Sequence, residues 1–169
     1  GIISGFTNDG NKIPEQTIPQ YYDKLGFSYN KFADSITVSE TEWDFERYKP
    51  DIIVINLGTN DMNYATTDER KAEFEDGYLD FLKKVRSLNP DSYIFQTYGV
   101  MGTSLEENIE NVRRKYMSET GDERITFIPL TMQDEDADGI VADWHPSPRT
   151  HSLVSQKVTA AIKKTLGYK

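Results

Sequence analysis

Two short segments of this sequence hold residue types that can do chemistry together. Gly58-Thr59-Asn60-Asp61 follows the apolar run Asp51–Leu57, and Asp143-Trp144-His145-Pro146-Ser147 precedes an amphipathic stretch. The chain has only 2 histidines, so each is worth weighing. Imidazole titrates near neutral pH, and a loop histidine held between Trp144 and Pro146 can serve as a general base. The competing reading of His145 is a surface histidine with no chemical part. Asn60 offers a side-chain amide on a turn after a buried strand. A preorganised donor of that kind stabilises a developing oxyanion by roughly 3–4 kcal/mol. The alternative for Asn60, and the better reading for Asp61, is a cap on the turn or on the next helix. His151 falls inside the terminal helix and reads as structural.

A base and an oxyanion donor work only if the chain brings them to one place. Asp51–Leu57 (DIIVINL) is β-branched, bounded by Pro50 and Gly58, and reads as a strand buried on both faces. From Thr67 to Leu88 the apolar residues Phe74, Tyr78, Phe81, Leu82, Val85 and Leu88 recur at helical spacing, with Thr66 or Thr67 as cap and Asn89-Pro90 as stop. Ser92–Tyr98 and Arg124–Leu130 read as further strands. Leu105–Met117 and Pro146–Leu166 read as helices. The alternation predicts an α/β fold, a three-layer sandwich with a parallel sheet and helices on both faces. In such sheets ligands sit beyond the carboxyl ends of the strands, where both segments fall.

The first fifty residues are less regular, with a polar loop over 8–20 and a short helix over 19–25. The acidic loop Asp134–Gly139 reads as a solvated connection, since it lacks the spacing and the closing glutamate of a calcium loop. No repeat or linker divides the chain, so 1–169 is read as a single domain.

Composition narrows the partners. The 169 residues carry a formal net charge of −9. An acidic surface repels phosphate backbones, so nucleic acid is not an expected partner. No apolar run approaches the roughly 20 residues of a membrane helix, so no membrane association is expected. The absence of cysteine excludes disulfides, thiolate metal sites and a cysteine nucleophile.

The residues also carry a resemblance. VINLGTND (54–61) resembles block III of the SGNH, or GDSL-type, hydrolases, and DWHPS (143–147) followed by a helix resembles their block V. Together with TIPQYYDK (17–24), WDFERYKPDIIVINLGTND (43–61) and DWHPSPRTH (143–151), these make the chain most similar to carbohydrate esterase family 2. That family deacetylates xylan and related plant polysaccharides. The resemblance implies a flavodoxin-like SGNH fold and acyl transfer through a serine ester, with no metal and no organic cofactor. It also implies an acetylated carbohydrate substrate and an extracellular, secreted location. By position, His145 is the base, and Asn60 with the backbone amide of Gly5, from Ile3-Ser4-Gly5-Phe6, forms the oxyanion hole. Trp144 and Tyr64 stand where they can contact the sugar, while Trp43, Phe45 and Tyr48 are read as core.

Two departures matter. No Gly-Asp-Ser nucleophile block occurs, and only four residues precede Gly5. Ser4 is the remaining candidate in the chain, but a nucleophile elbow needs a full strand before it. The nucleophile is therefore expected on a segment outside this sequence, as a second polypeptide or a lost piece, together with the first sheet strand. That loss would leave an unpaired strand edge and an exposed apolar face. The second departure is at block V. The usual acid position, three residues before the histidine, is Ala142. Asp143, two residues before, can still reach Nδ1 from an extended loop. A backbone carbonyl, with Trp144 the nearest, fits better and makes a serine–histidine dyad. The rival to an esterase is a non-catalytic carbohydrate-binding or interaction domain on the same fold.

Overall fold

Three apolar, β-branched runs become three parallel strands in a computed structural model that describes residues 1–4, 12, 16–27 and 36–168. These are β1 (Ile52–Asn56), β2 (Tyr93–Tyr98) and β3 (Ile125–Pro129), lying side by side in that order. Val54 is level with Phe95, and Phe95 with Thr126. The helices are α1 (Ile18–Tyr21), α2 (Asp68–Leu88), α3 (Glu106–Thr120), α4 (Glu135–Asp138) and α5 (Pro148–Leu166). The short helix predicted over 19–25 is the single turn α1.

Helix α2 starts where Thr67 accepts a hydrogen bond from the Arg70 N–H, and it ends at Asn89 before Pro90. Its stripe of Phe74, Tyr78, Phe81, Leu82 and Val85 is buried. Together with Ile109, Val112 and Tyr116 of α3 it packs on Ile55, Ile94 and Tyr98 of the sheet. On the opposite face Val154, Val158, Ile162 and Leu166 of α5 cover Phe95 and Ile128. Successive strand residues point to opposite faces, so a parallel sheet needs both layers. This is the predicted three-layer arrangement.

The prediction that β1 is buried on both faces requires correction. The fully covered strand is β2, which is central. Among the described residues β1 pairs with β2 alone, so it forms an edge. Helix α5 lies over β2 and β3 and leaves Val54 of β1 48% exposed. Leu153 on α5 is exposed as well. An interior-type sequence thus sits on an open edge. The aromatic residues before β1 also differ from expectation. Trp43 and Tyr48 lie at the surface, while Phe45 packs beside the Tyr22 ring with centroids 5.8 Å apart. Among the described residues no helix is long and apolar enough to cross a membrane.

Candidate active site

The Gly58–Asp61 turn leaves β1 at its carboxyl end. Gly58 has φ of 121°, and a Cβ there would meet the Tyr98 ring at 3.2 Å, so both backbone and space require glycine. The turn is closed by hydrogen bonds. The Met62 N–H donates to the Gly58 carbonyl, and the Tyr64 and Ala65 N–H groups donate to the Asp61 carbonyl at 2.9 and 2.8 Å. Asn60 is partly exposed, and its side chain does not cap the short 3₁₀ turn Asp61–Asn63 that it precedes.

Asp61 departs from the capping role expected of it. Its side chain is completely buried and accepts the backbone N–H groups of Ile2, Ile3 and Ser4. Tyr64, expected as a sugar contact, lies largely buried beside the turn. It is 9% exposed, donates its hydroxyl to Glu73, and carries the Arg70 guanidinium 4.9 Å above its ring. Glu73 pushes the Tyr64 hydroxyl pKa up, while Lys12 and that hydroxyl hold the Glu73 carboxyl below its ordinary value. Tyr64 thus ties the end of the turn to the first two turns of α2.

His145 sits in a loop between β3 and α5. Its Nδ1 lies 3.1 Å from the Ala142 carbonyl oxygen, and its backbone N–H donates to the same oxygen at 3.2 Å. The Val141 N–H in turn donates to the His145 carbonyl at 2.9 Å. The Trp144 carbonyl, expected to be the nearest candidate, is occupied by the Gln133 side-chain amide at 2.8 Å. Among the described residues no ion pair joins Asp143 to His145. Asp143 and Trp144 both adopt left-handed backbone, with φ of 55° and 61°. Such conformations cost roughly 1–2 kcal/mol per residue and persist only where the surroundings enforce them. Here the loop is pinned on both sides of the histidine. Ser147 donates its hydroxyl to the Asp138 carbonyl at 2.7 Å and accepts from the Thr150 N–H at the start of α5. Arg149 pairs with the Asp138 carboxylate at 2.6 Å. The result exposes the His145 ring and sets 64% of Trp144 in solvent.

Ser4 is fully buried, and its hydroxyl lies 3.5 Å from the Asp61 carboxylate. Gly5 lies outside the described residues. Asn60 follows the carboxyl end of β1, and His145 lies in the connection that leaves the carboxyl end of β3 and leads to α5. His151 lies exposed on α5. Among the described residues no group of three or more histidine or acidic side chains is disposed to hold a metal ion.

The Ala142 carbonyl and the Asp61 anchor were not readable as site features. A backbone oxygen has no residue-type signature, and the Asp61 partners are far from it in sequence. The Ser147-Pro148 start of α5 does carry a signal, since serine followed by proline is a common helix opening.

Residues 10–153 match the model of the GDSL-like Lipase/Acylhydrolase family. A cellulase/esterase of Acetivibrio thermocellus is 35% identical over 148 residues, covering 82% of this chain and 17% of that protein. A structure of an acetyl xylan esterase from the rumen bacterium Butyrivibrio proteoclasticus superposes with a TM-score of 0.80 at 26% identity, over 90% of this chain and 46% of that one. A family two carbohydrate esterase from Clostridium thermocellum, solved in complex with cellohexaose, is 35% identical with a TM-score of 0.69, over 79% of this chain and 42% of that one. The chain thus spans less than half the length of these relatives.

Proposed function

This chain belongs to the GDSL-like lipase/acylhydrolase family, its neighbours are family 2 carbohydrate esterases, and we propose that it removes acetyl groups from plant polysaccharides of the xylan type. The observation that carries the reading is the His145 ring held by the Ala142 carbonyl. A carbonyl accepts only, so Nδ1 carries the hydrogen and the lone pair of the neutral ring is on Nε2.

The reaction follows from that tautomer. A serine Oγ attacks the acetyl carbonyl while Nε2 of His145 takes its proton. The carbonyl oxygen becomes an oxyanion that the Asn60 amide and the Gly5 N–H receive. Collapse breaks the ester bond, and the imidazolium returns the proton to the departing sugar hydroxyl. Water then attacks the acyl-serine, losing its proton to Nε2; collapse breaks the acyl–Oγ bond, the imidazolium returns the proton to the serine oxygen, and the acetate product leaves. The Ala142 carbonyl stands where a triad keeps its carboxylate. It orients the ring without adding a full negative charge, which makes this a dyad rather than a triad with Asp143. Trp144, exposed on its left-handed turn, serves as the sugar contact.

The serine reaches the site on a strand that adds alongside β1, which among the described residues pairs with β2 alone, and that strand is carried by a segment beyond these 169 residues. Two features support this. The edge strand has the apolar sequence of an interior one, and its own Val54 is left open. Work outside the cell fits a polymeric substrate.

The test uses the full-length protein on acetylated xylan. Acetate release that disappears in His145→Ala supports the reading; unchanged release in that variant would end it. Intact-mass analysis after a fluorophosphonate probe locates the serine. Label on a segment outside this chain supports the added-strand arrangement, and label on Ser4 overturns it. Carbohydrate binding without hydrolysis is the second reading, favoured by the cellohexaose complex of the solved relative. It predicts sugar binding with no probe label anywhere.

A further inference from the structure

The Trp144 carbonyl and the His145 N–H belong to one peptide plane, and that plane is held on both sides. Its oxygen accepts the Nε2 amide of Gln133 at 2.8 Å. Its N–H donates to the Ala142 carbonyl at 3.2 Å. A trans peptide unit is flat, so two bonds pulling in opposite directions fix its tilt. The His145 Cα lies in this plane, and the ring that grows from it puts Nδ1 3.1 Å from the same Ala142 oxygen.

Gln133 carries the rigidity of the sheet into this loop. Its own N–H donates to the Val100 carbonyl at 2.9 Å, and the Leu130 N–H donates to the Tyr98 carbonyl at 2.7 Å. The segment leaving β3 is therefore stitched to the segment leaving the central strand β2. Trp144, by contrast, has left-handed backbone with φ of 61°. Such a conformation persists only where its surroundings hold it. Packing alone does not explain an amide at position 133. Gln133 Oε1 is buried and has no hydrogen-bond partner among the described residues. A buried polar atom in that state costs stability, and an apolar side chain of similar length avoids the cost. What the apolar side chain cannot supply is the donor to Trp144.

We propose that Gln133 is a positioning residue for the base. It locks the Trp144–His145 peptide plane to the sheet, and so keeps the imidazole on the Ala142 carbonyl in its Nδ1–H form. This rests on the esterase reading above. A displacement of about 1 Å near the reacting atoms costs on the order of 10²-fold in rate.

Two variants of the full-length protein test it. Gln133→Met keeps the length and removes the donor. Gln133→Glu keeps the shape and, once ionised, sets an acceptor against a carbonyl. For each, kcat, KM and thermal midpoint are measured on a small aryl acetate, which makes no use of the Trp144 indole. Imidazole nitrogen NMR of the histidine-labelled protein reads the tautomer, the His145 signal being the one lost in His145→Ala. Each variant is expected to lower kcat by about 10–100-fold with KM held within about twofold. The His145 signal is expected to move from the Nδ1–H form toward a mixture of both tautomers. If only one variant folds, that one decides. Wild-type kcat in a folded variant overturns the positioning role. So does KM rising in step with the loss of kcat, a loss of kcat with the tautomer unchanged, or failure of both variants to fold. A wild-type protein with no acetate release removes the esterase reading itself, and the tautomer alone then decides whether Gln133 holds the ring.

Discussion

The Nδ1 atom of His145 lies 3.1 Å from the carbonyl oxygen of Ala142, three residues back in the same loop. That oxygen replaces a carboxylate as the orienting group. Asp143→Asn is therefore expected to leave kcat within about threefold of wild type, whereas loss of a true triad aspartate costs about 10⁴-fold. Asparagine tolerates the left-handed backbone at this position, so the loop is kept. Steady-state hydrolysis of an aryl acetate by the full-length protein reads the difference. A 10⁴-fold loss would place the Asp143 carboxylate on the imidazole.

Asn60 makes no capping bond to its turn. Asn60→Ala is thus expected to lower kcat by about 10²–10³-fold. Its stability should stay within about 0.5 kcal/mol of wild type, as for a surface substitution that removes no cap. Kinetics paired with urea unfolding separate the two effects. A large loss of stability with unchanged kcat would show a structural residue.

Trp144 stands 64% exposed beside the histidine. Trp144→Ala should raise KM for acetylated xylo-oligosaccharides several-fold while leaving the hydrolysis of a small aryl acetate unchanged. Equal losses on both substrates would mean that the indole supports the loop rather than the sugar.

Ser147 links that loop to α5 by accepting from Thr150 and donating to the Asp138 carbonyl. Ser147→Ala removes both bonds and should cost about 1–2 kcal/mol in urea unfolding. Unchanged stability would show that Pro148 and the Arg149–Asp138 pair suffice.

Acid stability depends on the other end of the sheet. Asp122 pairs with Arg86 at 2.6 Å, each side chain about 15% exposed. Burial alone would raise the Asp122 carboxyl, but the Arg124 N–H, the Tyr116 hydroxyl and the Arg86 guanidinium together hold it below its ordinary value. A carboxyl with a lowered folded-state pKa stabilises fully above its unfolded value and loses that contribution as pH falls through the folded one. Asp122→Asn is therefore expected to lower stability by about 1.5–3 kcal/mol at neutral pH. The gap from wild type should narrow as pH drops below 3.8. Thermal unfolding across pH 2–7 measures it, and a gap independent of pH would exclude this linkage.

The sequence by itself determined the three strands, the three long helices and their two-sided packing. Those features are written in local periodicity, where β-branched runs between Pro or Gly make strands and 3.6-spaced apolar stripes make amphipathic helices. The order of the elements was legible too, with Asn60 directly after the first strand and His145 between the last strand and the terminal helix. The tertiary structure decided what holds them. Asp61 looked like a local cap, yet its partners are the amides of Ile2 to Ser4, reached only when β1 and the start of the chain come together. Trp43 reads as core, yet it lies 38% exposed. The partner of His145 is a backbone oxygen, which any residue at position 142 would supply. Side-chain periodicity reports which face is buried, but long-range hydrogen bonds and the choice of backbone partners depend on the assembled fold.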